Sequence, residues 1–122
     1  MPKVVLLVED DDEFRGALGD LLGEEGYVVH ARRNGSEGLV YLSDRASAPD
    51  VVVVDLMMPV LDGWEFIRRV RANPALATVP LVVVSAVSDE VTGDTHGVTV
   101  IKKPVDLHQL LTTLERVARR AP

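Results

Sequence analysis

The sequence predicts a doubly wound α/β sandwich, a parallel sheet of five strands with helices on both faces. Apolar runs alternate with segments of helical periodicity along the whole chain. The third run, Val51–Val54, is four successive valines without polar alternation, which is typical of a strand covered on both faces. Asp55 follows it directly, at the carboxyl end of a strand, where open α/β sheets place their ligand sites.

Five short apolar runs bounded by turn residues predict the strands. In chain order they are Lys3–Glu9, Tyr27–Arg32, Val51–Asp55, Leu81–Ser85 and Val98–Ile101. The first run ends in acids, and Pro80 precedes the fourth. We therefore expect the polar residues that end these runs to mark the strand ends.

Between the runs, apolar residues recur at helical spacing. The first predicted helix is Asp11–Gly23, closed by Gly26, and the second is opened by Asn34 and Ser36 and ends in the loop Asp44–Asp50. The third is Trp64–Ala72 and the last is Asp106–Arg120. The third follows the turn Asp62-Gly63, and Asn73-Pro74 ends it. The last has an acid in its first turn and arginines in its last, which the helix dipole favours.

The segment Val87–Gly97 does not fit the alternation. It should hold the helix between the fourth and fifth strands, but it contains two glycines, two threonines and almost no apolar stripe. Each glycine inside a helix costs about 1 kcal/mol relative to alanine. The sequence therefore predicts a shortened or irregular helix there, with Ser88–Gly97 among the most mobile parts of the protein.

Length and charge limit the function classes. A chain of 122 residues is long enough for one domain with its own core, so we expect a single domain over residues 1–122 and no effector domain. The net charge of −6 argues against nonspecific nucleic-acid binding. The sequence has no cysteine, no secretory signal and no run of about 20 apolar residues, so we expect a cytoplasmic protein without a membrane partner.

Polar residues at four strand ends should meet at one edge of the sheet. Strand one ends in Glu9-Asp10, strand three in Asp55, strand four in Ser85, and Lys102-Lys103 follow strand five. Neighbouring carboxylates repel each other unless a cation joins them. Mg²⁺ suits such a group, because it is commonly held by one or two carboxylates, waters and a phosphate. A lysine and a hydroxyl are the donors that a transferred phosphoryl group requires.

Four motifs in this order resemble the receiver domain of two-component response regulators. They are Leu6–Asp11, Val54–Pro59 with Asp62-Gly63, Val84–Ala86 and Ile101–Pro104. The resemblance covers essentially the whole chain and implies a flavodoxin-like (βα)5 fold with strand order 2-1-3-4-5. Each motif alone is a weak signal, and the four together are specific.

The resemblance also implies a role for each matching residue. Asp55 would be the phosphoacceptor. Mg²⁺ (or Mn²⁺) would be bound by Asp10 directly, by Glu9 mostly through water, by Asp55, and by the backbone carbonyl of Met57. Ser85 would bond a phosphoryl oxygen, and Lys103, the lysine directly before Pro104, would pair with the phosphoryl group. The Lys103–Pro104 peptide bond would be cis, as is usual in the family.

Two features depart from the family pattern. Val100 stands where the family usually has an aromatic residue that rotates when the domain is activated. The interval from Ser85 to Lys103 is 18 positions (103 − 85), a few shorter than usual, and the missing residues come from the helix between the fourth and fifth strands. The residues for phosphotransfer are therefore present, whereas the usual readout is not.

The function implied is a signalling receiver and not an enzyme. A histidine kinase or histidine phosphotransfer protein would donate the phosphoryl group to Asp55. Output would pass through contact with a downstream protein, without nucleic acid, and the receiver would be a monomer or weak dimer.

Two alternatives from other classes remain. A phosphohydrolase that forms an aspartyl phosphate generally has a second aspartate two residues after the nucleophile, where this chain has Met57. Turnover of phosphate esters would indicate that enzyme. A receiver-like binding module that acts without phosphorylation would fit Val100 and the irregular segment. Equal partner affinity of the wild type and Asp55→Asn would indicate the module.

Other charged residues have simpler interpretations. Asp11, Asp12 and Glu13 are expected to be the first turn of a helix, where the dipole favours acids. The histidines share no ligand spacing, so we expect them at surface or boundary positions: His30, His96 and His108. The arginines of the third helix are expected on its solvated face: Arg68, Arg69 and Arg71.

Overall fold

The computed structural model describes residues 2–44, 48–56, 61–86 and 98–118. These residues form one parallel sheet in the order β2-β1-β3-β4-β5. Its strands are β1 Val4–Val8, β2 Val28–Arg32, β3 Val51–Asp55, β4 Leu81–Ser85 and β5 Val98–Lys102. The helices are α1 Asp12–Glu24, α2 Gly35–Ser43, α3 Gly63–Ala72 and α4 Leu107–Ala118. The predicted fold class and strand order are confirmed. The expectations for Met57 and for Val87–Gly97 lie outside the described residues.

The centre of the sheet is covered on both faces. Every residue of β3 and β4 is buried, as the unbroken valine run predicted. Alternate side chains of the central strands point into two separate cores. Helices α2 and α3 cover one core, in which Phe66 is fully buried. Helices α1 and α4 cover the other, where Leu22 and Leu110 are fully buried. This packing holds the strand ends in register.

Three helices begin at polar caps that follow the strand ends. Asp11 accepts a hydrogen bond from the N–H of Phe14 at 3.0 Å, and Asn34 accepts one from Glu37 at 2.8 Å. Asp62 accepts the equivalent bond from Glu65 at 2.9 Å. Such caps typically stabilise a helix by about 1 kcal/mol. The starts of these helices are therefore encoded locally. Of the two residues expected to open α2, Asn34 is the cap.

The arginines of α3 do not all share one solvated face. Arg68 and Arg69 are exposed and pair with Glu65, as expected. The expectation is wrong for Arg71, which is half-buried and donates from Nη1 to the carbonyl of Val79 at 2.8 Å. The chain turns back after α3, so that the carbonyl groups of the following turn lie beside this guanidinium.

Gly63, the first residue of α3, lies close to the backbone at the end of β3. A Cβ atom at this position would lie 2.6 Å from the Cα of Leu56 and 2.8 Å from the carbonyl oxygen of Asp55. Both atoms belong to the backbone, so neither can move aside cheaply. The N–H of Gly63 also donates to the carbonyl of Leu56 at 3.0 Å. The missing side chain therefore permits the contact between the helix and the strand end.

We expect Gly63→Ala to lower the free energy of unfolding by ~1–3 kcal/mol, because the new methyl group overpacks a rigid contact. Urea unfolding followed by circular dichroism measures this change. Gly16→Ala in α1 is the matched control, since a Cβ atom there meets nothing within 4 Å. That control should be neutral or stabilising, as alanine favours a helix over glycine. Equal stability of the two variants would contradict the close-contact explanation.

Candidate functional site

The predicted polar residues meet at the carboxyl edge of the sheet. Glu9 and Asp10 follow β1 directly, and Asp55 is the last residue of β3. In the sheet register, Asp55 lies beside Val84, the residue before Ser85 at the end of β4. The register of β4 and β5 places Ser85 beside Lys102, and Lys103 follows. The parallel arrangement therefore brings the ends of four strands to one edge, as expected from the sequence.

Three carboxylates form a cluster at this edge. One oxygen each from Glu9, Asp10 and Asp55 lies within 4.8 Å of the other two. Glu9 is 2% exposed and Asp55 is 4% exposed, whereas Asp10 is half-buried. Two of the acids therefore have little contact with water, and a partner must compensate their charge.

Lys103 supplies part of that compensation. Its Nζ lies 3.2 Å from Oδ2 of Asp55 and 3.6 Å from Oε1 of Glu9. Partial burial of the ammonium disfavours its charged form, but the two nearby carboxylates outweigh this effect and raise the pKa of Lys103. The lysine therefore stays charged at neutral pH and bridges the ends of β1 and β3.

Glu9 is held by its own backbone surroundings. Its Oε2 accepts a hydrogen bond from the N–H of Asp11 at 3.1 Å, and its carbonyl accepts one from Nη1 of Arg15 at 2.9 Å. Burial raises the pKa of Glu9 to about 7, and the charge of Asp55 adds to the rise. The Asp11 hydrogen bond and Lys103 oppose the shift only in part. The raised pKa means that Glu9 accepts a proton more readily than an ordinary glutamate does.

Ser85 and the Lys103–Pro104 bond complete the edge. Ser85 is 1% exposed, and its carbonyl accepts a hydrogen bond from the N–H of Lys103 at 2.8 Å. The Lys103–Pro104 peptide bond is cis, as the resemblance implied. The end of β4 is thus joined directly to the segment that carries the lysine.

The remaining charged residues behave mostly as expected. Asp11 caps α1, and Asp12 and Glu13 are exposed in its first turn. The ring of His30 contacts that of Tyr41 in a tilted arrangement with the centroids 5.2 Å apart, and His108 is exposed. Within the described ranges, no histidine belongs to a group able to hold a metal. His96 lies outside them.

Two residues of α1 at this site were missed from the sequence. Arg15 holds the backbone of Glu9, and the ring of Phe14 lies 5.0 Å from Nζ of Lys103. By sequence alone, Phe14 fits the apolar stripe that it shares with Leu18, Leu21 and Leu22 in the predicted helix Asp11–Gly23. The sequence signal for a second role of Phe14 was its position, because the first turn of α1 starts only a few residues after the acids that follow β1.

The donor set suits a hard divalent cation. Carboxylate oxygens are the ligands that Mg²⁺ prefers, and three acidic residues offer them within 4.8 Å of one another. Among the described residues, Lys103 is the cation that the structure pairs with these acids. With all three ionised, two negative charges would remain uncompensated. A divalent cation would balance them and displace the proton from Glu9. The role expected for the Met57 carbonyl lies outside the described residues.

Comparison with known proteins identifies the family. The family model for the response regulator receiver domain matches residues 5–115. Response regulator MprA of Mycolicibacterium vanbaalenii is 38% identical over 125 residues, covering 98% of this chain and 52% of that protein. Transcriptional regulatory protein CseB of Streptomyces coelicolor is 38% identical over 120 residues, covering 95% and 49%. The chain thus spans about half the length of these relatives.

The names of these relatives bear on the predicted partners. CseB is named as a transcriptional regulatory protein, and it is about twice as long as this chain. The expectation that no nucleic acid takes part was based on the charge of these 122 residues, so it does not extend to the longer proteins. The expectation of a single domain without an effector stays a prediction.

Solved structures share the fold of this chain. Chemotaxis protein CheY4 of Vibrio cholerae is 29% identical with a TM-score of 0.85, covering 96% of this chain and 99% of that chain. The receiver domain of sensor histidine kinase PA1611 from Pseudomonas aeruginosa is 24% identical with a TM-score of 0.83, covering 98% and 99%. That second structure has a magnesium ion coordinated in its active site cleft.

A membrane span needs a helix that is both long and apolar. Among the described helices, none combines the length and the apolar composition of a membrane-spanning helix.

Proposed function

Since the chain belongs to the response regulator receiver domain family of two-component signalling, we propose that it accepts a phosphoryl group on Asp55 in a magnesium-dependent reaction. The observation that carries the proposal is the contact of Lys103 with Asp55 at 3.2 Å, beside two further acids. The arrangement joins a nucleophilic carboxylate, a fixed cation and the ligands for a divalent ion. These are the groups that phosphoryl transfer to a carboxylate requires.

Asp55 is the nucleophile in this reaction. An ionised oxygen of Asp55 attacks the phosphorus, the new O–P bond forms, and the bond between the phosphorus and the donor breaks. The donor leaves with the electron pair of that bond. For a phosphohistidine donor, the leaving group is the imidazole. The product is an acyl phosphate on Asp55.

Lys103 and Ser85 assist the transfer through their positions. The ammonium of Lys103 is already beside Asp55, so it can pair with the phosphoryl oxygens without a large movement. Ser85 ends the neighbouring strand and is proposed to donate its hydroxyl to a phosphoryl oxygen. Ser85 is the last residue of β4 and Lys103 directly follows β5, so the sheet already positions both residues before the phosphoryl group arrives.

Glu9, Asp10 and Asp55 are the side chains proposed to hold Mg²⁺, with Met57 contributing its carbonyl. When bound, the ion neutralises negative charge on the phosphoryl oxygens as they approach the acidic cluster. This neutralisation matters because the negative charge of a phosphoryl donor is repelled by three carboxylates.

The proposed donor is a histidine kinase or a histidine phosphotransfer protein, and the proposed output is contact with a downstream protein. Val100 in β5 is half-buried against the core formed under α2 and α3. A valine has no aromatic ring to rotate, so the downstream protein is proposed to recognise the phosphorylated state at another part of the surface. The chain is proposed to have no enzymatic activity beyond its own phosphorylation and dephosphorylation.

The test is incubation with a small-molecule phosphodonor, with and without Mg²⁺, followed by intact-mass measurement. We expect the mass of one phosphoryl group to be added with Mg²⁺ and to be absent after chelation with EDTA. Beryllofluoride with Mg²⁺ should shift the amide resonances near Asp55 in a parallel experiment. A chain that neither gains mass nor responds to beryllofluoride would refute the proposed function.

A further inference from the structure

Phe14 faces the lysine of the site. The Nζ of Lys103 lies over the ring at 5.0 Å from its centroid, inside the ~6 Å within which a cation is attracted to an aromatic face. The same ammonium contacts Asp55 and Glu9 at 3.2 and 3.6 Å. Lys103 is therefore enclosed by two carboxylates and one ring, and its side chain is 27% exposed.

The ring is held in place by the start of α1. The N–H of Phe14 donates to Oδ1 of Asp11, the helix cap, at 3.0 Å. Arg15 ties the same turn to the end of β1 through its bond to the Glu9 carbonyl. The ring also packs against the core under α1 and α4. Its position is thus set by the same segment that positions Glu9.

The three partners of Lys103 differ in what happens to them during phosphoryl transfer. Asp55 becomes phosphorylated as an acyl phosphate, and Glu9 belongs to the group that would share its oxygens with a divalent cation. The ring of Phe14 is neutral and takes part in neither event. Of the three contacts, the one with Phe14 is therefore the one whose chemistry the reaction leaves unchanged.

We propose that Phe14 is a positioning residue that holds the ammonium of Lys103 at the phosphoacceptor while the two carboxylates are engaged. The inference rests on the proposed acceptor function and deepens it. Phe14 acts through Lys103 and does not touch the reacting atoms. An aliphatic side chain of similar size fills the same space but has no electron-rich face. Substitution can therefore separate the packing of Phe14 from the attraction of its ring to the ammonium.

The experiment compares wild type, Phe14→Leu and Phe14→Tyr with a small-molecule phosphodonor and Mg²⁺. A small donor removes any effect of Phe14 on docking to a protein. We expect Phe14→Leu to lower the limiting rate of phosphorylation about fivefold, or ~1 kcal/mol, with little change in KM. Phe14→Tyr keeps the aromatic face and should stay within about twofold of wild type. Unfolding midpoints of the three proteins report any general loss of stability.

A second measurement detects the contact without phosphorylation. The ring should shift the resonances of the Lys103 Hε protons upfield, and this shift should persist in Phe14→Tyr and disappear in Phe14→Leu. Equal shifts in wild type and Phe14→Leu, or equal rates in those two proteins, overturn the positioning role. A tyrosine variant as slow as the leucine variant does the same.

The two experiments distinguish a failure of the positioning role of Phe14 from a failure of the acceptor function of Asp55. A wild-type chain that takes up no phosphoryl group overturns the acceptor function and the positioning role together, whatever the resonances show. A wild-type chain that is phosphorylated, with Lys103 resonances unchanged in Phe14→Leu, overturns the positioning role alone.

Discussion

Asp55→Asn is expected to abolish phosphorylation, lowering its rate by more than about 1000-fold, or ~4 kcal/mol of barrier. The substitution keeps the size of the side chain but replaces the anionic oxygen with an amide, which is a far weaker nucleophile. The side chain lies in the interior at the end of β3, so a shape-conserving change should leave the fold intact. Intact mass after incubation with a phosphodonor and Mg²⁺ measures the effect directly.

The matched control is Asp20→Asn, an exposed acid on α1 away from the strand ends. It makes the same chemical change and should leave the rate as in wild type. Amide resonances of Asp55→Asn should also fail to respond to beryllofluoride. If Asp55→Asn gained a phosphoryl group at the rate of Asp20→Asn, the acceptor would be another residue.

The stability of the metal-free protein is expected to fall by up to ~3 kcal/mol as the pH rises from about 4.5 to about 7. Burial, and then the charge of Asp55, raise the pKa of Glu9 from 4.5 in the unfolded chain to about 7 in the folded protein. In this window the folded state binds more protons than the unfolded state, so raising the pH favours unfolding. The contribution is fully present below pH 4.5 and is lost as the pH passes about 7. Each pKa unit corresponds to 1.36 kcal/mol.

Urea unfolding at several pH values, with EDTA present, measures this dependence. Glu9→Gln keeps the shape of the protonated acid, so it should flatten the dependence and be more stable than wild type above pH 7. Glu13→Gln, an exposed acid in the first turn of α1, is the control and should follow wild type. A Glu9→Gln curve parallel to that of wild type would show that Glu9 does not carry the shift.

Mg²⁺ binding and protonation of Glu9 should stabilise the folded protein over opposite ranges of pH. A metal ligand must be deprotonated, so the stabilisation produced by Mg²⁺ should grow as the pH rises through about 7. Glu9→Gln should weaken that stabilisation. A weaker effect of Mg²⁺ in Glu9→Gln would indicate that Glu9 helps to bind the cation that the family resemblance implies.

The sequence by itself determined which strand ends meet at the site, although it did not reveal the contacts that Phe14 and Arg15 make there. Four runs end in or next to Glu9, Asp55, Ser85 and Lys103, and parallel strands bring their carboxyl ends to one edge of the sheet. Hydrophobic periodicity and the caps at Asp11, Asn34 and Asp62 are local properties, so the positions of the described helices and strands followed to within a residue or two. The roles of the site residues remain those implied by the family.

Only the tertiary structure decided how these residues act on one another. The proton affinity of Glu9 depends on burial by distant segments and on Asp55, which is far away in the chain. The contact of Phe14 with Lys103 joins the first turn of α1 to the end of β5, and the need for glycine at position 63 comes from the approach of α3 to β3. Such effects arise from distances between elements, which the spacing of residues along one element does not contain.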